Sequence, residues 1–231
     1  YSGTTTLNAG TLALGHANAL AGSTLNTGVS GSQNVTFTLP GVNSYNINGL
    51  AGGDAIHLGG NTINVGELGA TASYSGVLSG TGGFAKRGSG TQTLTGANDF
   101  TGAVSIQQAG TLVIPSITNI GAAQPLGAGA GPILLDTGTL SITGSGSTDR
   151  GLTLGNNANT LNIAATVTLS GSITGGGSSA TFTKSGAGTF NQSGAGSWNS
   201  DVNVTAGTYN VTSSGSIAGV GVVTLSGGST M

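Results

Sequence analysis

KRGSGTQTLTG, residues 86–96, has a near-copy in KSGAGTFNQSG, residues 184–194. Both open Lys-x-Gly-x-Gly-Thr, and the two lysines lie 98 residues apart. The chain has only four basic residues, and these segments hold three of them, Lys86, Arg87 and Lys184. A phrase written twice in a nearly uncharged chain is either a repeated site or a repeated piece of scaffold.

The surrounding composition narrows the choice. Glycine fills 46 of 231 positions, and charged residues make up 4 %, against about a quarter in an ordinary soluble domain. A disordered chain of low charge would be expected to carry more proline and fewer apolar residues than the 4 prolines and 36 % hydrophobic content here. Glycine does not fall on every third position, which excludes a collagen helix. What remains is an all-β protein of many short strands joined at glycine turns.

Short bursts of alternation carry those strands. Leu161, Ile163, Ala165, Val167 and Leu169 read as one face of a strand, with Asn162, Thr166 and Thr168 opposite. Val35, Phe37 and Leu39 alternate with Thr36 and Thr38, and Val104/Ile106 and Val202/Val204 behave likewise. Runs of one to three glycines separate the bursts. Such short strands with corners that tolerate positive φ suit a coil with three sides per turn. No segment of useful length has a 3.6-residue period, so helices between the strands are not expected.

Longer repeats organise the chain. YSGTTTLNAGTLAL (1–14) aligns with FTGAVSIQQAGTLVI (100–114) and with WNSDVNVTAGTYNV (198–211). An aromatic residue (Tyr1, Phe100, Trp198) opens each copy, and Ala-Gly-Thr follows from Ala9, Ala109 and Ala206. The lysine phrase precedes the second and third copies at similar distances. It is therefore part of a repeating scaffold unit, with copies near 1–14, 86–114 and 184–211.

KRGSGTQTLTGANDFTGAVSIQQAGTL resembles the passenger-associated repeat of bacterial autotransporters: Lys-x-Gly-x-Gly-Thr-Leu-x-Leu-x-Gly-x-Asn-x-Tyr-x-Gly, a strand, then Ala-Gly-Thr-Leu. Lys86, Gly88, Gly90, Thr91, Leu94, Gly96, Asn98, Phe100, Gly102 and Ala109 to Leu112 fill that pattern. The copy at 184–209 departs from it, with Trp198 for the Tyr/Phe and Asn191-Gln192-Ser193 in place of the apolar alternation. The resemblance implies an all-β, right-handed parallel β-helix (β-solenoid) and a place outside the bacterial cell, at the surface or secreted. It also implies export unfolded, which a chain without cysteine suits.

Solenoid physics agrees with this fold. At roughly 20–25 residues per turn, the chain would form about ten turns stacked about 4.8 Å apart, a rod near 50 Å long. Residues 1–231 are expected to be a single β-helix segment of a longer protein, because neither a leader nor a capping element is evident in the sequence.

No residue is assigned a catalytic, cofactor-binding or metal-binding role. The acids are scattered, and only Asp136, Asp149 and Arg150 could gather as a glycan-cleaving triple; solvated turn residues are the plainer reading. GLAGGDAI (49–56) nearly matches a calcium nonapeptide, but shared ligation needs tandem copies, so a glycine turn leading into AIHL is preferred. His16 and His57 lack partners at ligand spacing, and His57 should point outward. Lys86 and Lys184 would hold an anion or, as an equivalent pair on one edge, cap turn carbonyls. Tyr1, Phe100 and Trp198 would form a sugar-stacking stripe or, better, pack at a corner. Threonines 36/38, 91/93/95, 166/168 and 181/183 would make hydroxyl rows of the ice-binding kind, but their sequence spacing is irregular.

A net charge of −2 excludes an electrostatic footprint for nucleic acid, and no apolar run nears 18 residues, so this segment is not expected to insert in a membrane. The expectation is a non-enzymatic extracellular structural or adhesive stalk whose partners are a host or surface glycan or protein, or further copies of itself. The alternative is a subunit of a self-assembling extracellular filament or sheath that stacks through its β-helix ends.

Overall fold

The computed structural model describes residues 2–29, 31–38, 43–212 and 221–231. Among them the regular elements are β-strands alone, with no helix, and the strand ladders are parallel. A ten-stranded sheet running from Gly3–Thr6 to Gly196–Trp198 makes the first face above its lowest strand, and a second face stacks eight strands from Ala72–Tyr74 to Val223–Leu225. A third stacks four, from Gly146–Thr148 to Thr208–Val211. In the lower turns the pairs Gly10–Leu14 with Gln33–Phe37 and Ile56–His57 with Leu78–Ser79 take the third side. The chain is a three-sided parallel β-solenoid of about ten turns.

Two long strands, Leu20–Asn26 and Ser44–Ala51, bend from the first face into the second, with a register shift between Leu20 and Thr24. Their ends run under the second face, where Gly52 bridges Tyr74. Gly3–Thr6 pairs with residues 23–26 and so lies beneath the same face.

Alternation builds the core. Ile63, Phe84, Val104, Ile133, Leu152 and Ile173 occupy one register column of the first face, and all are buried. Each rung thus buries its apolar side chain against the one below, while backbone groups pair between turns. Turn length is not constant. Val104 lies 20 residues after its partner Phe84, but Ile133 lies 29 after Val104. The extra length lies in the segment 115–132, between Thr111–Ile114 and Ile133–Asp136.

The structure breaks one expected strand. Residues 158–169 form two strands, Ala158–Ile163 and Thr166–Leu169, with Ala164 and Ala165 at the corner between them. Ala165 is only half-buried, so it belongs to neither inward row. Val35 points inward with Phe37 packed at the core's margin, whereas Leu39 lies outside the described residues.

Glycines in the lysine phrase are forced by stacking. Gly88 has φ +63°, and a Cβ there would stand 2.0 Å from the Gly66 carbonyl oxygen of the turn below. Gly90 would put a Cβ 2.2 Å from the Ala70 carbonyl oxygen. The second copy repeats this: Gly186 has φ +78°, and a Cβ on Gly188 would stand 1.9 Å from the Ala165 carbonyl. A side chain cannot enter where one backbone lies directly on another, and only glycine accepts the left-handed turn without cost.

Candidate functional site

Three of the four basic side chains, Lys86, Arg150 and Lys184, are buried. Lys86 is fully buried, and its ammonium donates to the carbonyls of Arg87 and Gly88, the latter at 2.9 Å. Lys184 is equally buried and donates to the carbonyls of Gly186 (2.6 Å), Gly188 (2.6 Å) and Ala206 (2.9 Å). In both copies the lysine gathers carbonyls of its own glycine corner, groups that the tight turn leaves facing the interior. Burial pulls the Lys86 ammonium down to about 8 and lowers Lys184 as well.

The two lysines are not an equivalent pair on one edge. Lys86 ends the first-face strand Phe84–Lys86, whereas Lys184 lies in the second-face strand Thr181–Ser185. Four turns above Lys86 its column reaches Gly175, nine residues short of Lys184. The second copy of the phrase has therefore moved on by one side of the triangle.

Arg150 overturns the expectation of a solvated turn residue. It is wholly buried, with Nε donating to the Gly131 carbonyl and Nη1 to the Leu126 carbonyl, each at 2.7 Å. Burial lowers its pKa. Asp149 is exposed and its Oδ1 accepts from the Ile120 amide at 2.7 Å, while Asp136 Oδ1 accepts from Asn157 Nδ2 at 3.0 Å. The triple is not brought together: each member ties a different backbone or amide partner, and Arg150 turns away from Asp149.

Arg150, Asp149 and Asn98 instead pin the 115–132 segment. Asn98 Nδ2 donates to the Pro125 carbonyl at 2.7 Å while its Oδ1 accepts from the Leu78 amide at 2.8 Å. Gln124 is buried and closes the loop on itself, accepting from the Thr118 amide and donating to the Thr118 carbonyl. Nothing in the sequence showed Gln124 or Arg150 in this role, because their partners are backbone groups that any sequence supplies.

Asp54, in the calcium-like stretch, is buried at 6 % exposure rather than solvated. Its Oδ1 accepts from the Gly31 amide at 2.8 Å, and its backbone carbonyl accepts from the Tyr74 hydroxyl at 2.6 Å. The burial of Tyr74 and the nearby Asp54 charge both push the Tyr74 pKa up, burial more strongly. Among the described residues no three His, Asp or Glu side chains gather as a metal set. His57 is exposed, with Nδ1 3.0 Å from Ser79 Oγ, in a shallow groove with Asn34, Thr36, Phe37 and Asn61. His16 is exposed and accepts from the Asn18 amide at 3.0 Å.

The aromatic residues are core. Phe100 and Trp198 are buried, and Trp198 meets Phe182 edge-on with centroids 5.4 Å apart. Neither can stack on an external sugar; Tyr1 lies outside the described residues. What the molecule shows to solvent is different: rows of small hydroxyl and amide side chains. On the third face Asn210 Nδ2 donates to Asn191 Oδ1 at 2.9 Å, and Asn191 Nδ2 to Thr168 Oγ1 at 3.3 Å.

The lysine-glycine corners of this parallel solenoid fall in passenger-associated repeats, and by sequence similarity the chain is a passenger-repeat protein of the autotransporter type. The passenger-associated-transport-repeat family matches residues 1–14 and 84–114. Over 164 residues, 67 % of this chain, the sequence is 36 % identical to the adhesin BmaC autotransporter of Brucella suis biovar 1 (strain 1330). The chain spans 5 % of that relative's length. No solved structure matches it. Passenger repeats stand outside the cell, and the location of this chain is extracellular, surface-exposed or secreted. No described helix is long and apolar enough to cross a membrane.

Proposed function

We propose that this chain is a segment of a stiff, non-enzymatic adhesive stalk, 1–231 forming one solenoid unit of a longer passenger. The observation that carries this reading is the use of three of its four basic groups. Lys86, Lys184 and Arg150 are buried and hydrogen-bonded to backbone carbonyls, so they act as struts rather than as acids, bases or ligand clamps. A rod built in this way can hold binding surfaces away from the cell and resist bending, since every rung is hydrogen-bonded to its neighbours. Similarity to an adhesin supports attachment to a host or surface glycan or protein as the purpose of that presentation.

The test couples the purified chain to beads and measures retention on host cells and on immobilised glycans, with sedimentation velocity alongside. Retention several-fold above albumin-coated beads, from an elongated monomer, supports the stalk. Absence of retention would sink the adhesive part of the reading. End-to-end fibres growing with protein concentration would favour the filament subunit instead.

A further inference from the structure

The second face carries a threonine column that sequence spacing conceals. Thr71, Thr91, Thr111, Thr139, Thr160 and Thr183 stand on six consecutive rungs at one register position. Below Thr71 the bridge from Gly52 to Tyr74 carries the register to Gly49, which pairs with Thr24 and then Thr4. Above Thr183 come Asn203 and Thr224. Two residues along each strand runs a second, uncharged column, Ser73, Thr93, Val113, Ser141, Asn162 and Ser185, of which Ser141 is buried. No outward position of these columns is charged or aromatic. Asp201 lies beside the upper end and is occupied as a cap, its Oδ1 accepting from the Val222 amide at 2.9 Å.

We propose that this face orders water and binds ice. The columns form a lattice with a repeat of roughly 4.8 Å along the solenoid axis, set by the hydrogen-bonded spacing of the strands. Two successive water–water hydrogen bonds of about 2.75 Å, meeting at a tetrahedral oxygen, place second-neighbour oxygens about 4.5 Å apart. The two repeats stay in step to within about 1.2 Å over four rungs. Threonine suits such a lattice because its β-branch holds χ1 in few rotamers, so hydroxyl and methyl groups are already arrayed before any partner arrives. A neutral face excludes the strong, disordering hydration of ions. The lack of exposed aromatic rings on the columns argues against a sugar-ring platform and for water itself as the partner. This inference is independent of the adhesive reading: an ice-binding rod need not attach to cells, and an adhesive one need not bind ice.

The test is nanolitre osmometry with an ice-recrystallisation assay on the purified chain. Thermal hysteresis with faceted crystals, and arrested grain growth at micromolar protein, are expected. Thr139→Lys with Thr160→Lys should reduce both at least about tenfold. Thr139→Val with Thr160→Val keeps the side-chain shape and should lose part of the activity, so a folding failure of the lysine pair leaves the idea testable. Thr153→Lys with Thr174→Lys, on the outward column of the first face, should change nothing. Far-UV circular dichroism reports folding throughout. No hysteresis and no arrest at any soluble concentration overturns the proposal, as does equal loss in the first-face variant. Binding to insoluble neutral polysaccharide that the second-face variants abolish, without ice activity, would assign the face to a glycan instead.

Discussion

Gln92 reaches down two turns to Leu50. Its Nε2 donates to the Leu50 carbonyl at 2.8 Å, and its Oε1 accepts from the Leu50 amide at 3.1 Å. Both residues are buried, at 1 % and 0 % exposure. The intervening rung at Ala72 presents only a methyl group, which leaves the room for this strut. Gln92→Ala would strand a buried amide and a buried carbonyl, so it should cost about 3 kcal/mol. Urea unfolding checks this, and an unchanged midpoint would show that water replaces the side chain.

Stability should have an unusual pH dependence. The folded Lys86 pKa, about 8, lies below its unfolded value, so between those two values the unfolded chain binds more protons than the folded one. By linkage, stability must then rise with pH from about 8 toward about 10. Above about 10 the sign reverses. The phenols of Tyr74 and Tyr209 are raised by burial, and the unfolded chain releases their protons first. Melting temperatures across this range should pass through a maximum, and Lys86→Met should flatten the rising limb. A monotonic fall from neutrality would refute the assignment.

Glycine positions separate cleanly by what lies beneath them. Gly90→Ala must push a methyl into the Ala70 carbonyl oxygen and should cost about 3 kcal/mol. At Gly131 nothing stands within 4 Å of a new Cβ, so Gly131→Ala should stay within about 0.5 kcal/mol of the parent. Equal denaturation midpoints for the two variants would mean that the turns can slide apart.

Arg150 should act as the latch of the 115–132 segment. With Arg150→Met the carbonyls of Leu126 and Gly131 lose their donor. Exchange of the Ala128 amide, bonded to the Phe100 carbonyl at 2.9 Å, should quicken at least about tenfold. The Leu140 amide should be unaffected. Uniform acceleration across the chain would show that Arg150 supports global stability instead.

Much of the architecture was legible in the sequence. Alternating bursts, glycine corners and the repeated lysine phrase pointed to parallel strands in a three-sided coil, because strands this short bury their apolar side chains only when stacked on the strands of neighbouring turns. The lysines at 86 and 184 were legible as scaffold for the same reason: they recur with the glycines that surround them. Their burial was not legible, since the carbonyls they bind belong to the backbone and leave no mark in the side-chain pattern.

Register was decided by the tertiary structure alone. From Thr91 the column steps 20 residues to Thr111, 28 to Thr139, 21 to Thr160 and 23 to Thr183. Corners of different length absorb these differences, so the spacing looks irregular along the chain and regular along the axis. The same unequal turns carry Lys184 onto a different side from Lys86. Within a strand, sequence by itself determined which apolar residues face inward, since a period of two requires no knowledge of neighbouring turns. Which outward residues become neighbours is set by how much chain each corner stores, and that is settled only when the interturn hydrogen bonds lock one rung onto the next.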